Sequence, residues 1–365
     1  MTQAYFLIPG LILPDSAKNE LDASTLAVAD ALSSNLADEP IGQNFSRNVF
    51  ARAVHLQWAW SVITRRKTLP HVTAFSWLMD QGPMLATEIW QLHLANRDAS
   101  GVMTGIKIAD ETLIEAVSMQ LTRPLLKHGF VLQRWDTTLY LTRKSDWGVA
   151  AAPWCTIRNT ATPADMALQG LAQDEKEAQS ALAVALAALQ DLTTELAAAT
   201  LSDAHGVAVN ALWISGGGHQ QLFFPPTLLR SVLADDPAII GWAQNAGILN
   251  HRTGRLTGAN AWPDDAPNGE CLAVIDALYE PWLAGDWKAW SQALPGVISQ
   301  INTLSQAALH KKGCDAVLVV GCGEAKTVSL PLKLVNPKSL IARFSRKKAK
   351  PADTWIFGVD PQEAA

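Results

Sequence analysis

Residues 210–221 read NALWISGGGHQQ, an apolar run that stops on three consecutive glycines and is followed at once by a histidine. A second run, AVLVV, stops in the same way on Gly321-Cys322-Gly323. Beyond the carboxyl end of a strand, backbone amides in such turns are free to hold an anion. The same turns also serve wherever two stretches of backbone must pack tightly, because glycine has no Cβ to obstruct them. Neither stretch is a known nucleotide motif. Gln221 stands where GxGxxG needs its last glycine, and no Lys-Ser/Thr follows as in a P-loop. Ser215 does not sit in a nucleophile elbow, because Trp213 occupies the first glycine position of GxSxG. His219 reads either as a polar ligand contact or as a surface loop residue.

The other reactive side chains do not cluster in sequence. His55, His71, His93, His128, His205, His251 and His310 form no HxH or HExxH pattern. The pairs Asp235-Asp236 and Asp264-Asp265 lie beside prolines, as helix caps and turns do. Cys155, Cys271, Cys314 and Cys322 form no CxxC pair, which fits reduced thiols in a cytoplasmic protein. Arg343, Arg346, Lys347, Lys348 and Lys350 make a basic tail, read as a solvated segment. With a net charge of −5, bulk attraction to nucleic acid is not expected.

The elements that must position these residues follow from pattern and composition. A chain of 365 residues, 48% hydrophobic and 17% charged, has ample material for a core and suggests about two domains. Fourteen tryptophans against three tyrosines, scattered along the chain, read as core anchors. The N-terminal MTQAYFLIPG lacks a basic leader and is broken by Pro9. The apolar stretch Ala181 to Leu189 is too short to span a bilayer, so no membrane span is expected. AYFLIPGLILP reads as a first strand broken by Pro9 and Gly10, with helical patterns around 17–35 and 46–64. From 85 to 156 the texture becomes strand, strand, helix, strand, strand, which predicts an inserted small α+β domain. In that domain a helix opens at Asp110 and stops at Gly129, and FVLQRW and TLYLTR flank a tight turn. An alanine-rich helix carries Leu182, Leu186, Leu189, Leu192 and Leu196 on one stripe. Another helix is expected after Pro295, stopping at Gly313 before the strand DAVLVVG. Helices alternating with fully apolar strands predict an α/β core with a largely parallel sheet over 1–84 and 157–365.

Several segments, in order, carry a resemblance. VNALWISGGG resembles the Asn-x-x-Trp-x-x-Gly-x-Gly segment of a group of bacterial proteins labelled phosphoglycerate mutase. IRNTATPAD is similar to the group's Arg-Asn segment, and VLADDPAIIGWAQNAGI to its Asp-Asp-Pro segment. LLKHGFVLQRWDTTLYL is similar to its insertion, so the likeness spans about residues 85 to 325. That group is in turn a distant relative of archaeal-type cofactor-independent phosphoglycerate mutases of the alkaline phosphatase superfamily. The resemblance implies an alkaline-phosphatase-like α/β core interrupted by a smaller domain. Active members hold two divalent metals with Asp and His residues and transfer phosphate through a Ser or Thr.

Here the expected ligand positions carry other residues. FLIPGLILPD has Pro9 before Gly10 and no acid until Asp15. DALYEPWLAGD keeps Gly285-Asp286 but has Asp276, Tyr279 and Leu283 at the Lys, Asp and His places. The final Asp-His pair falls near Cys322-Gly323. The resemblance therefore implies a degenerate relative with no metal, no cofactor and no catalytic residue, binding a small molecule or a protein partner. The alternative is an active mutase or phosphatase with relocated ligands. The candidate ligand residues are Asn210, Trp213, Ser215, Gly216, Gly217, Gly218 and His219. Asn210 and His219 would give hydrogen bonds, Trp213 a stacking face, and the glycines open amides.

Overall fold

The structure is a computed structural model that describes residues 2–34, 36–79, 85, 87–106, 111–220, 228–252, 262, 267–332 and 351–358. Asp110 and the basic tail at 343–350 lie outside the described residues. The chain forms two compact units. One gathers Met1–Arg47, Ala51–Thr68 and Phe223–Ala365, and the other Asn48–Phe50 and Leu69–Leu222. The second unit thus reaches well beyond the expected 85–156 and takes in the alanine-rich helix and NALWISGGG.

The first unit is built on a mixed sheet. Its strands lie in the order Leu249–His251, Leu229–Leu233, Glu270–Val274, Gln3–Pro9, Ala316–Cys322, Lys326–Leu332 and Ile41–Asn44. The first five are parallel and the last two antiparallel. Gln3–Pro9 lies between two parallel neighbours, and its Phe6, Leu7 and Ile8 are fully buried. A strand covered on both faces needs such an unbroken apolar run. Helices Val54–Thr64 and Pro237–Asn245 pack together, as do Ala23–Ser33 and Trp287–Lys312. Trp287–Lys312 starts eight residues before Pro295 and carries that proline inside. Asp286 caps it, accepting from the amide of Ala289 at 2.9 Å, so the start is fixed by a cap upstream of the proline. Gly313 ends it in the left-handed region at φ 66°, as its type predicts.

The second unit has an antiparallel sheet, in the order Phe130–Trp135, Thr138–Arg143, Glu88–Arg97, Ala211–Gly216, Val149–Ala151 and Leu168–Gly170. Met103–Gly105 pairs with the far end of Glu88–Arg97. The run ALWIS is therefore a central antiparallel strand and not, as expected, part of a parallel sheet. Its register sets Trp213 opposite His93 and Ser215 opposite Gln91. It is apolar throughout because both of its faces are covered, and residues 211–215 are all buried. Helix Glu175–Ala198 lies against it, burying Leu189, Leu192 and Leu196, and also packs on Glu111–Lys127. This 24-residue helix is long and apolar enough to cross a membrane by length and composition, a wider window than the run Ala181 to Leu189 suggested. Here its leucine stripe lies on the sheet, and its Asp191 pairs with Lys127 and His128, both at 2.8 Å.

Twelve of the fourteen tryptophans are buried, while Trp154 is half-buried and Trp135 exposed. Anchoring is their role in both units.

Candidate functional site

The three glycines of the first turn all have positive φ, at 79°, 98° and 105°. A Cβ on Gly217 would lie 2.6 Å from the Trp90 ring, and one on Gly218 2.6 Å from the His71 ring. At Gly216 it would collide with the Thr73 hydroxyl. Glycine is required on both counts, conformation and space. The turn is tied down by its neighbours. Thr73 Oγ1 donates to Ser215 O at 3.1 Å, the Ile89 amide to Gly218 O at 3.0 Å, and His71 Nδ1 to His219 O at 3.1 Å. Gln220 reaches back to the Ala74 carbonyl and accepts from the Leu85 amide.

The candidate side chains spread over several environments. Asn210 clamps the backbone of Arg97, accepting its amide proton at 2.7 Å and donating to its carbonyl at 3.1 Å. Trp213 is buried and donates its indole proton to Ala152 O at 3.0 Å. Ser215 is buried, with Oγ 2.7 Å from His93 Nε2. His219 meets the exposed Asp146 at 2.5 Å. Sequence spacing hid His93 and Asp146 because they join the turn from other strands and loops, although alternation along Glu88–Arg97 does put His93 level with Trp213.

The Ser215–His93 distance is that of a nucleophile and its base, but the electrostatics are not. Burial, aided by the charge of Arg158, lowers the His93 pKa to about 3. Such an imidazole stays neutral at pH 7 and holds an accepted proton poorly, so it makes a weak general base. It stacks on Trp154 at 4.9 Å with an 11° tilt, a packed position. Nearby, Glu88 is buried, accepts from the Trp147 amide at 2.9 Å, and has its pKa raised by burial.

In the first unit, the carboxyl ends of the two central strands meet an apolar plug. Gly10, at φ 75°, turns the chain into Leu11, Ile12 and Leu13, all buried. Two indoles hold this segment: Trp290 Nε1 donates to Gly10 O at 2.7 Å and Trp282 Nε1 to Ile12 O at 2.9 Å. Ile12 also donates its amide proton to Cys322 O at 3.2 Å, joining the plug to the second glycine turn. A Cβ on Gly321 would lie 2.9 Å from both Leu11 and Ile12 side chains. The second turn is thus a place of close packing.

Other polar groups lie near the ends of the neighbouring strands. Asp236 caps helix Pro237–Asn245, and its pKa is raised by burial and then by the charge of Asp276. Asp276 is raised by its own desolvation and then by Asp235. Tyr279 donates to Arg52 O at 2.9 Å and meets the ring of His55 edge-on at 4.6 Å. Burial lowers the His55 pKa to about 3. Asp15 pairs with Lys18 at 2.8 Å. Two hard divalent ions need several converging carboxylate and imidazole ligands. The plug residues Gly10 to Leu13 and the thiol of Cys322 do not fit that donor set. Among the described residues, no three His, Cys, Asp or Glu side chains converge as metal ligands.

No family profile and no curated protein matches this chain. Solved structures similar to it include a cofactor-independent phosphoglycerate mutase from Thermoplasma acidophilum DSM 1728. The two are 12% identical over 97% of this chain and 97% of that one, with a TM-score of 0.39. The PH0037 protein from Pyrococcus horikoshii is 9% identical over 92% of this chain and 90% of that one, with a TM-score of 0.38.

Proposed function

We propose that this chain is a phosphoglycerate-mutase-like protein that binds a small molecule and carries out no metal-dependent phosphoryl transfer. One observation carries the reading. The crevice at the carboxyl ends of Gln3–Pro9 and Ala316–Cys322, where open α/β sheets take their ligands, is filled by Leu11, Ile12 and Leu13 under the indoles of Trp282 and Trp290. Phosphoryl transfer needs charge-stabilising groups around the transferring oxygens, and buried aliphatic side chains offer none. The turn residues Asn210, Trp213 and Gly216 to Gly218 then serve binding by shaping the second unit.

The test combines elemental analysis of the purified protein with mutase and phosphatase assays in added manganese. The expected result is metal well below one equivalent and no turnover above a buffer blank. Stoichiometric metal together with turnover would establish the enzyme reading instead.

A further inference from the structure

Within the second unit, Glu175–Ala198 and Ala211–Gly216 border an open recess of about 540 Å³. That size lies within the usual range for small-molecule sites, roughly 300 to 1,000 Å³. Leu186 and Leu189 of the helix give it an apolar side, and Leu212 and Trp213 border it from the strand. Its rim carries Arg97, Asp165, Gln190 and Thr193. Arg97 and Asp165 are both exposed, and among the described residues neither forms an ion pair with the other or with a third group. One cation and one anion thus face the same recess unpaired.

The surroundings hold the strand side and the cation in place. Asn210 fixes the Arg97 backbone through two hydrogen bonds, and the Met103 sulfur accepts from its guanidinium at 3.2 Å. Trp213 is anchored by its bond to Ala152 O. The Asn-x-x-Trp spacing therefore has a geometric meaning. Asn210 sets the charged rim, and Trp213, three residues on, borders the recess.

We infer that this recess binds a small zwitterion with an apolar body, of the α-amino acid class. The ligand carboxylate meets Arg97, its ammonium meets Asp165, and its side chain lies against Leu186 and Leu189. Charge-assisted hydrogen bonds of both signs, beside the apolar side given by Leu186 and Leu189, select such a molecule over a simple anion or cation. This inference rests on the small-molecule reading above and names its ligand class.

Isothermal titration of the full chain with L-phenylalanine and L-leucine tests it. The controls are 3-phenylpropionate, which lacks the ammonium, and 2-phenylethylamine, which lacks the carboxylate. Saturable binding of the amino acids is expected, weakened about tenfold or more for each control. Arg97→Gln weakens the amino acids by a similar factor and leaves 2-phenylethylamine unchanged, and Asp165→Asn likewise weakens the amino acids and leaves 3-phenylpropionate unchanged. Both positions are exposed, and a circular dichroism spectrum identical to wild type confirms that the variants fold. Absence of saturable binding by either amino acid overturns the inference, as does binding that neither substitution alters. Either failure removes the ligand class alone, since metal content and turnover decide the non-catalytic reading independently.

Discussion

Two glycine turns look alike in sequence and end in opposite surroundings. Gly321-Cys322-Gly323 closes a parallel strand against an aliphatic plug, and Gly216-Gly217-Gly218 closes an antiparallel strand amid His71, Thr73 and Trp90. In the first, aliphatic side chains of Leu11 and Ile12 pack against the turn. In the second, polar groups remain, but they hold the backbone. Close backbone approach is what the two share, and each sheet fills the space around its turn in its own way.

The contrast breaks most sharply at Trp290, which is fully buried with its indole bonded to Gly10 O. Trp290→Ala opens a large cavity over the plug and is expected to cost about 3–5 kcal/mol, read as a shifted urea midpoint. Trp290→Phe refills most of the volume but leaves the Gly10 carbonyl without its donor, at about 1–3 kcal/mol. Equal losses for the two variants would mean that the indole bond, absent from both, holds the plug and the ring volume adds nothing; an unchanged midpoint for Trp290→Phe would mean that the bond contributes nothing.

At the other turn, Gly217→Ala meets both an unfavourable φ of 98° and the Trp90 ring. A cost of about 2 kcal/mol or more is expected from strain and overpacking together. Gly206 provides the comparison, with φ 77° and nothing within 4 Å of a Cβ. Gly206→Ala should cost only the left-handed backbone penalty, about 1 kcal/mol. If thermal melts place the two variants together, close packing at Gly217 is not what fixes this turn.

Much of this arrangement was legible in the chain, and the gaps have physical causes. Local signals worked where local forces decide. The strand-like texture after residue 85 marked Glu88–Arg97, the leucine stripe marked Glu175–Ala198, and Gly129 and Gly313 sit at helix ends with positive φ. Strand partners did not follow. An all-apolar run such as ALWIS reports burial on both faces, and a parallel core and a covered antiparallel centre demand the same residues. That ambiguity set the boundary of the second unit short of residue 222. Pro295 read as a helix start because the cap at Asp286 lay upstream among tryptophans. His93 and Asp146 join Ser215 and His219 across 122 and 73 residues, a separation that spacing cannot express. The contact between the sulfurs of Cys271 and Cys314, 3.9 Å apart across 43 residues, is of the same kind.

The smallest effect is one of pH, and it compares the units through one histidine in each, buried His55 and half-buried His93. His55 and His93 have folded pKa values of about 3, well below the ordinary 6.5. A histidine held neutral stabilises the fold fully above pH 6.5, and this contribution falls as pH drops from there toward 3. The slope is about 1.4 kcal/mol per pH unit for each such group. Glu88 and Asp236 act the other way, because raised carboxylate pKa values relieve a penalty as they protonate. They are common to wild type and a His93 variant, so the difference between the two proteins reports the histidine. His93→Gln keeps a hydrogen-bonding group near Ser215 Oγ and removes the titration. Between pH 6 and pH 5 its urea midpoint should fall less steeply with pH than wild type, by about 1.4 kcal/mol per unit. Parallel curves for the two proteins would place a proton on His93 in the folded state, and the Ser215–His93 pair would then regain the electrostatics of a working base.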